Sequence, residues 1–118
     1  MKIIHLSSDL MMGSQLSQAA RGRGLAVEMI QRLEQLAERI DAETRLVAID
    51  LQSPGWSAES FAAGRSLYAP AIPIVAYAQH VFPELLSAAE RAGITTVLTR
   101  GQFARSLGEI LDQALPGD

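Results

Sequence analysis

No cysteine occurs in the 118 residues, which excludes disulfides and any thiolate metal site. Histidine is almost as scarce. His5 and His80 are the only two, and their separation argues against a His-rich metal site. Lysine occurs once, at Lys2; the other basic residues are arginines, scattered without a basic tail or block. The 10 basic residues stand against 13 acidic ones, a net charge of −3. Binding a phosphate backbone needs clustered cations, so nucleic acid is not the expected partner. The apolar run at the N-terminus, Met1 to Leu6, is far too short for a signal peptide or a membrane span. No membrane association is expected, and a soluble, cytoplasmic protein follows as the expectation.

What is present suits a folded core. Hydrophobic residues make up 48% of the chain and charged residues 19%, a balance that argues against disorder. The length fits one domain over residues 1–118, burying about two-thirds of its unfolded surface.

Along the chain, apolar runs without helical period alternate with segments that have one. Lys2 to Leu6 reads as a buried strand, followed by the polar break Ser7-Ser8-Asp9. Met12, Leu16, Ala19 and Ala20 share a face of a helix over residues 11–20, which Gly22 and Gly24 stop. Leu25 to Ile30 reads as a second strand. Leu33, Leu36, Ala37 and Ile40 give helical spacing over residues 31–42. Arg45 to Leu51 reads as a central strand ending near Asp50, and Gln52-Ser53-Pro54-Gly55 has turn chemistry. Ser57 is placed to cap a helix over residues 58–68, and Pro70 and Pro73 bracket a loop. Ile74 to Ala78 is the fourth strand. Pro83 opens a helix that Gly93 closes. Thr95 to Leu98 is the fifth strand. Thr99 and Gln102 have capping-box spacing before a last helix striped by Phe103, Leu107, Ile110, Leu111 and Ala114. Strands separated by helices pair in parallel through right-handed crossovers, so the chain is expected to form one three-layer α/β domain.

In such a sheet, functional groups collect at the C-terminal strand ends. Those ends carry Ser7, Ser8 and Asp9, then Asp50, then Ala78, Gln79 and His80, then Thr99 and Arg100. Other familiar sites are missing. Gly22-Arg23-Gly24 follows a helix and precedes a strand, the reverse of a dinucleotide fingerprint. There is no Gly-Lys-Ser/Thr phosphate loop and no Gly-x-Ser-x-Gly elbow. Met11 and Met12 read as core filling. His5, in mid-strand between apolar neighbours, reads as a buried histidine bonded to backbone, and His80 as a surface loop residue.

Three pieces in order carry a resemblance to a known family. They are Ile49-Asp50-Leu51-Gln52-Ser53-Pro54-Gly55, then Ile72-Pro73-Ile74-Val75-Ala76-Tyr77-Ala78-Gln79-His80, then Ala89-Glu90-Arg91-Ala92-Gly93-Ile94. Together they resemble the receiver domain of response regulators, the CheY-like family, over nearly the whole length. The resemblance implies a flavodoxin-like (βα)5 fold with five parallel strands in the order 2-1-3-4-5. It matches Asp50 to the phospho-accepting aspartate. The two acids that hold Mg²⁺ in the family fall on Ser7 and Ser8, and Asp9, one position on, is expected to face away. The switch hydroxyl falls on Ala78, the switch aromatic on Val97, the lysine on Arg100 and the proline after it on Gly101.

Mg²⁺ requires hard, charged oxygen ligands, and neutral serines supply no charge. Arginine, unlike lysine, pairs bidentately with a carboxylate, so Arg100 is expected beside Asp50. Ser7 and Ser8 are expected to bond loop backbone. The main expectation is therefore a stand-alone pseudo-receiver, not an enzyme, with a degenerate pocket of Ser7, Ser8, Asp9, Ala78 and Arg100 around Asp50, no cofactor and no metal. It would act on a signalling partner in a two-component pathway. By the same resemblance a homodimer or partner docks over the fourth helix, fifth strand and fifth helix, here Arg91, Thr95, Gln102, Arg105 and Glu109. Trp56 and Phe82, in loops beside the pocket, are either local packing or part of a contact patch. The first alternative is a working phosphoacceptor at Asp50, with Mg²⁺ as cofactor. The second is an unrelated flavodoxin-like enzyme or cofactor binder, since one fold hosts many functions.

Overall fold

Five short apolar runs form one parallel sheet in the computed structural model, which describes residues 1–68 and 72–116. The strands are β1 (Lys2–Leu6), β2 (Ala26–Ile30), β3 (Thr44–Asp50), β4 (Ile74–Ala78) and β5 (Thr96–Thr99). They lie in the order β2-β1-β3-β4-β5, as the resemblance implies. The helices are α1 (Leu10–Arg21), α2 (Glu34–Arg39), α3 (Ala58–Ala63), α4 (Arg65–Tyr68), α5 (Pro83–Arg91), α6 (Arg100–Arg105) and α7 (Leu107–Ala114). None of the described helices is long and apolar enough to cross a membrane.

Side chains alternate across a strand, so each strand feeds two cores. Ile4, Leu6, Val47, Ile49, Ala76 and Ala78 pack with Leu36 of α2, Phe61 of α3 and Ala89 of α5. On the opposite face, Ile3, Ala48, Val75 and Tyr77 pack with Met12 and Leu16 of α1, Phe103 of α6 and Leu107 of α7. The same alternation carries His5 onto the face of Ile3, and Ser7 follows it there.

The expected helices differ from the observed ones mainly at their ends. The segment over residues 31–42 is helical only from Glu34 to Arg39. The Gln35 side chain accepts from the Gln31 and Arg32 amides, 2.9 Å each, so the first residues form a capped turn. Beyond it, Asp41 and Thr44 bond each other's backbone and side chain and turn the chain into β3. Ala37, expected on the buried face, is exposed. The helix after Ser57 breaks at Gly64, and the last helix breaks at Ser106, whose amide is shared between the Gln102 and Phe103 carbonyls. Ser57 caps as expected, through the Ser60 amide at 3.1 Å. Thr99 and Gln102 form the expected capping box. Pro70, one of the two prolines expected to bracket a loop, lies outside the described residues. Of the two methionines expected in the core, Met12 is fully buried, but Met11 is exposed because it falls on the wet side of α1.

The turn after β3 is fixed by a close approach. The Gly55 carbonyl accepts from the Leu33 amide at 3.1 Å. A Cβ at position 55 would collide with the Gln31 carbonyl oxygen and lie 2.9 Å from the Arg32 Cα. Those partners are backbone and cannot swing away. Gly55→Ala is therefore expected to cost roughly 2 kcal/mol, measured as a lowered urea midpoint. An unchanged midpoint would mean that the two loops separate without cost.

Candidate functional site

The sheet register brings the expected residues to one end. Leu6 pairs with Ile49 and Asp50 with Tyr77, so the ends of β1, β3 and β4 are level. Ser8, Asp9, Asp50, Gln52, Gln79 and Arg100 line a polar pocket of about 210 Å³ there.

Asp50 is 8% exposed and held on both oxygens. Its Oδ2 accepts from the Ser7 hydroxyl at 2.9 Å, and its Oδ1 from the Gln52 amide at 3.0 Å. The Ser7 hydroxyl also accepts from the Asp9 amide at 2.9 Å. Ser7 thus bonds loop backbone as expected, and in addition reaches Asp50. Ser8 is exposed on the pocket wall.

Two expectations are corrected. Asp9 does not face away. It caps α1, its Oδ1 accepting from the Met12 amide at 3.1 Å, and this turns its other oxygen into the pocket. Arg100 does not bond Asp50. Its Nη2 donates to Asp9 Oδ2 at 2.8 Å. The physical reason is saturation: Asp50 is already bonded by Ser7 and Gln52, whereas the capping role of Asp9 leaves one oxygen free beside the start of α6. The Arg100 hydrogen bond holds the Asp9 carboxyl below its ordinary range against partial burial, and the Arg100 guanidinium is raised in return.

Asp9 therefore does two things, and substitution separates them. Asp9→Ala removes the cap and the ion pair and is expected to cost about 1–2 kcal/mol, mostly from the cap because the pair is about a third exposed. Asp9→Asn keeps a capping oxygen and should recover most of that loss. Equal losses in urea unfolding would assign the stabilisation to the ion pair.

Ala78 is fully buried in the core, and Val97 is half-buried against it. Trp56 is half-buried, packed on the α2–α3–α5 core with its ring 5.5 Å from Phe61. Phe82 is 39% exposed at the N-terminus of α5, beside the more exposed Val81. Arg91, Thr95, Gln102, Arg105 and Glu109 are all exposed. His80 is exposed, as expected.

His5 is corrected in its partner. It is fully buried, but its Nε2 lies 2.7 Å from the Tyr77 hydroxyl and not against backbone. Burial lowers its pKa to about 4, partly opposed by the negative charge of Asp9. Tyr77 was not singled out from sequence, although one bulky aromatic between Ala76 and Ala78 at a strand end was a usable signal. Its ring stacks on Phe103 at 4.2 Å, and its phenol is raised by burial and then by the charge of Asp50. Gln79 was placed at a strand end from sequence but given no role in the pocket, and Gln52 was read only as part of a turn. The Gln52 Oε1 accepts from the Gln79 amide at 2.8 Å and ties the exits of β3 and β4 together.

This pocket does not fit Mg²⁺ well. Two carboxylates line it, each oxygen of each already accepts a hydrogen bond, and a guanidinium shares the space. Among the described residues no three acidic, histidine or cysteine side chains cluster as a metal set.

No family model and no curated protein matches the chain. Solved structures do. The chemotaxis response regulator CheY4 of Vibrio cholerae aligns with a TM-score of 0.74 and 20% identity, over 97% of this chain and 98% of that one. The receiver domain of NtrX from Brucella abortus aligns with a TM-score of 0.74 and 19% identity, over 96% and 97%. A member of a family of streptococcal redox sensors that evolved from two-component response regulators aligns with a TM-score of 0.74 and 16% identity, over 96% of this chain and 50% of that one. The fold is the CheY-like receiver fold.

Proposed function

We propose that this chain is a pseudo-receiver, a receiver-fold signalling domain that acts through protein–protein contact and not as an enzyme. The observation that carries this reading is the self-satisfied pocket. Asp9 is neutralised by Arg100, and Asp50 is occupied by Ser7 and Gln52, where a phosphoryl acceptor needs free oxygens and a cation. The replacement of the switch hydroxyl and aromatic by Ala78 and Val97 supports the same reading. The partner surface is the exposed side of α5, β5, α6 and α7, with Arg91, Thr95, Gln102, Arg105 and Glu109, and it serves a signalling protein or a second copy of the chain. The setting is cytoplasmic, with no cofactor. The streptococcal neighbour is a precedent for this fold leaving the response-regulator role.

Incubation with acetyl phosphate and Mg²⁺ tests the reading. No acyl phosphate is expected by intact-mass measurement, and no saturable Mg²⁺ quench of Trp56 fluorescence. A phosphorylated species that disappears in Asp50→Asn would establish the phosphoacceptor reading instead, with Mg²⁺ as cofactor. A yellow chromophore or nucleotide carried through purification would establish a cofactor binder.

A further inference from the structure

The turn from α5 into β5 lies between two residues of the proposed partner surface, Arg91 before it and Thr95 after it. Its amides are satisfied locally. The Gly93 amide donates to the Glu90 carbonyl at 3.0 Å and the Ile94 amide to the Ala89 carbonyl at 3.1 Å, the nested pair of bonds that closes many helices on a left-handed glycine. Gly93 has the positive φ, +105°, that this ending needs, and Ala89 and Ile94 are both buried in the core beneath it.

The carbonyls of the turn are met from a different crossover. Arg65, the first residue of α4, sends its Nη1 to the Gly93 carbonyl at 2.6 Å, with the Ala92 carbonyl at 3.5 Å. The guanidinium carbon lies 5.8 Å from the centre of the Phe61 ring, and Phe61 is fully buried on α3. A cation held there faces both the negative end of the α5 dipole and the face of an aromatic ring. Position 93 needs glycine for a second reason, because a Cβ there would run into the Arg65 guanidinium. Arg65 itself is exposed. Interactions at an exposed side chain add little to the stability of a whole fold, so what this one fixes is local.

We propose that Arg65 is a positioning residue for the partner surface. Seated over Phe61, it clamps the α5–β5 turn from the neighbouring crossover and holds Arg91 and Thr95 in one relative placement. With the clamp released, the Ala92 and Gly93 carbonyls turn to water and the turn opens locally while the sheet stays closed. The proposal rests on the reading of α5 and β5 as part of the docking face, and it adds a control point that lies outside that face.

Amide exchange of the ¹⁵N-labelled chain, followed by NMR, tests the clamp. In Arg65→Ala the Gly93 and Ile94 amides are expected to exchange about tenfold faster, the effect of losing one charge-assisted hydrogen bond, while the Ile4 and Leu6 amides of β1 keep their wild-type rates. Unchanged rates at Gly93 and Ile94 overturn the proposal. So does an equal acceleration at Ile4 and Leu6, which would make Arg65 a support of the whole fold and not of the turn. Should Arg65→Ala fail to fold, Arg65→Met, which keeps the apolar stem and removes the donors, decides by the same criterion. No partner enters the measurement, so its failure counts against the clamp and leaves the reading of the docking face standing.

Discussion

Lowering the pH from about 6.5 to about 4 is expected to remove on the order of 3 kcal/mol of stability through His5 alone. The unfolded chain protonates His5 near its ordinary value of 6.5, whereas the buried imidazole in the fold resists until about 4. Between those values the unfolded state binds one more proton, so stability falls as pH falls. Above pH 6.5 the contribution is fully present. The carboxylates act later. Asp9, Glu28 and Asp41 are held below their ordinary values of 3.8, 4.5 and 3.8, so their contributions are full above those values and fade only beneath them. The window from 6.5 down to 4.5 therefore belongs to His5. Urea midpoints across that window should fall in the wild type and stay nearly level in His5→Gln, whose amide donates to Tyr77 without taking a charge. Parallel pH profiles would show that His5 is protonated in the fold without penalty.

Phe103→Ala is expected to cost about 3–5 kcal/mol, the range for removing a buried aromatic. Phe103 is fully buried and anchors α6, whose first residue is Arg100. Its ring also stacks on Tyr77 within 9° of parallel. Phe103→Leu keeps most of the volume and loses the stack, a further term of roughly 1 kcal/mol. A double-mutant cycle of Phe103→Leu with Tyr77→Leu isolates that term. Additive losses would mean that the two rings merely share the core. The same variants read the pocket, because a loosened α6 withdraws Arg100 from Asp9 and should raise the Asp9 pKa observed by NMR.

Local chemistry was legible in the sequence, and distant geometry was not. Ser57, Pro83 and the Thr99–Gln102 pair mark their helix starts because capping involves only neighbouring residues. The central strands β1, β3 and β4 are legible because burial on both faces leaves largely apolar runs. The breaks at Gly64 and Ser106 were not read, because the apolar stripe Phe103, Leu107, Leu111 continues across the second break. Asp9 was misplaced for a different reason. Position along the loop suggested an outward carboxylate, but its capping bond to Met12 fixes the rotation of the side chain. The His5–Tyr77 contact depends on register across three strands. His5 pairs with Ala48 on β3, which pairs with Val75 on β4, and Tyr77 follows two residues later on the same face. No spacing within either strand shows that meeting.

Among the described residues β2 and β5 are the border strands of the sheet, and a border strand is where another molecule's backbone could pair. On β2 the run Ala-Val-Glu-Met-Ile would be a ready template for intermolecular pairing without its central acid. Glu28 is clamped between Lys2 at 3.3 Å and Arg39 at 2.7 Å, which sets a charged cluster along that border. The β5 border is protected differently, by being only four residues long. A charged side chain held on a border strand disfavours pairing with a second copy, and the Lys2 and Arg39 ion pairs hold Glu28 in that position.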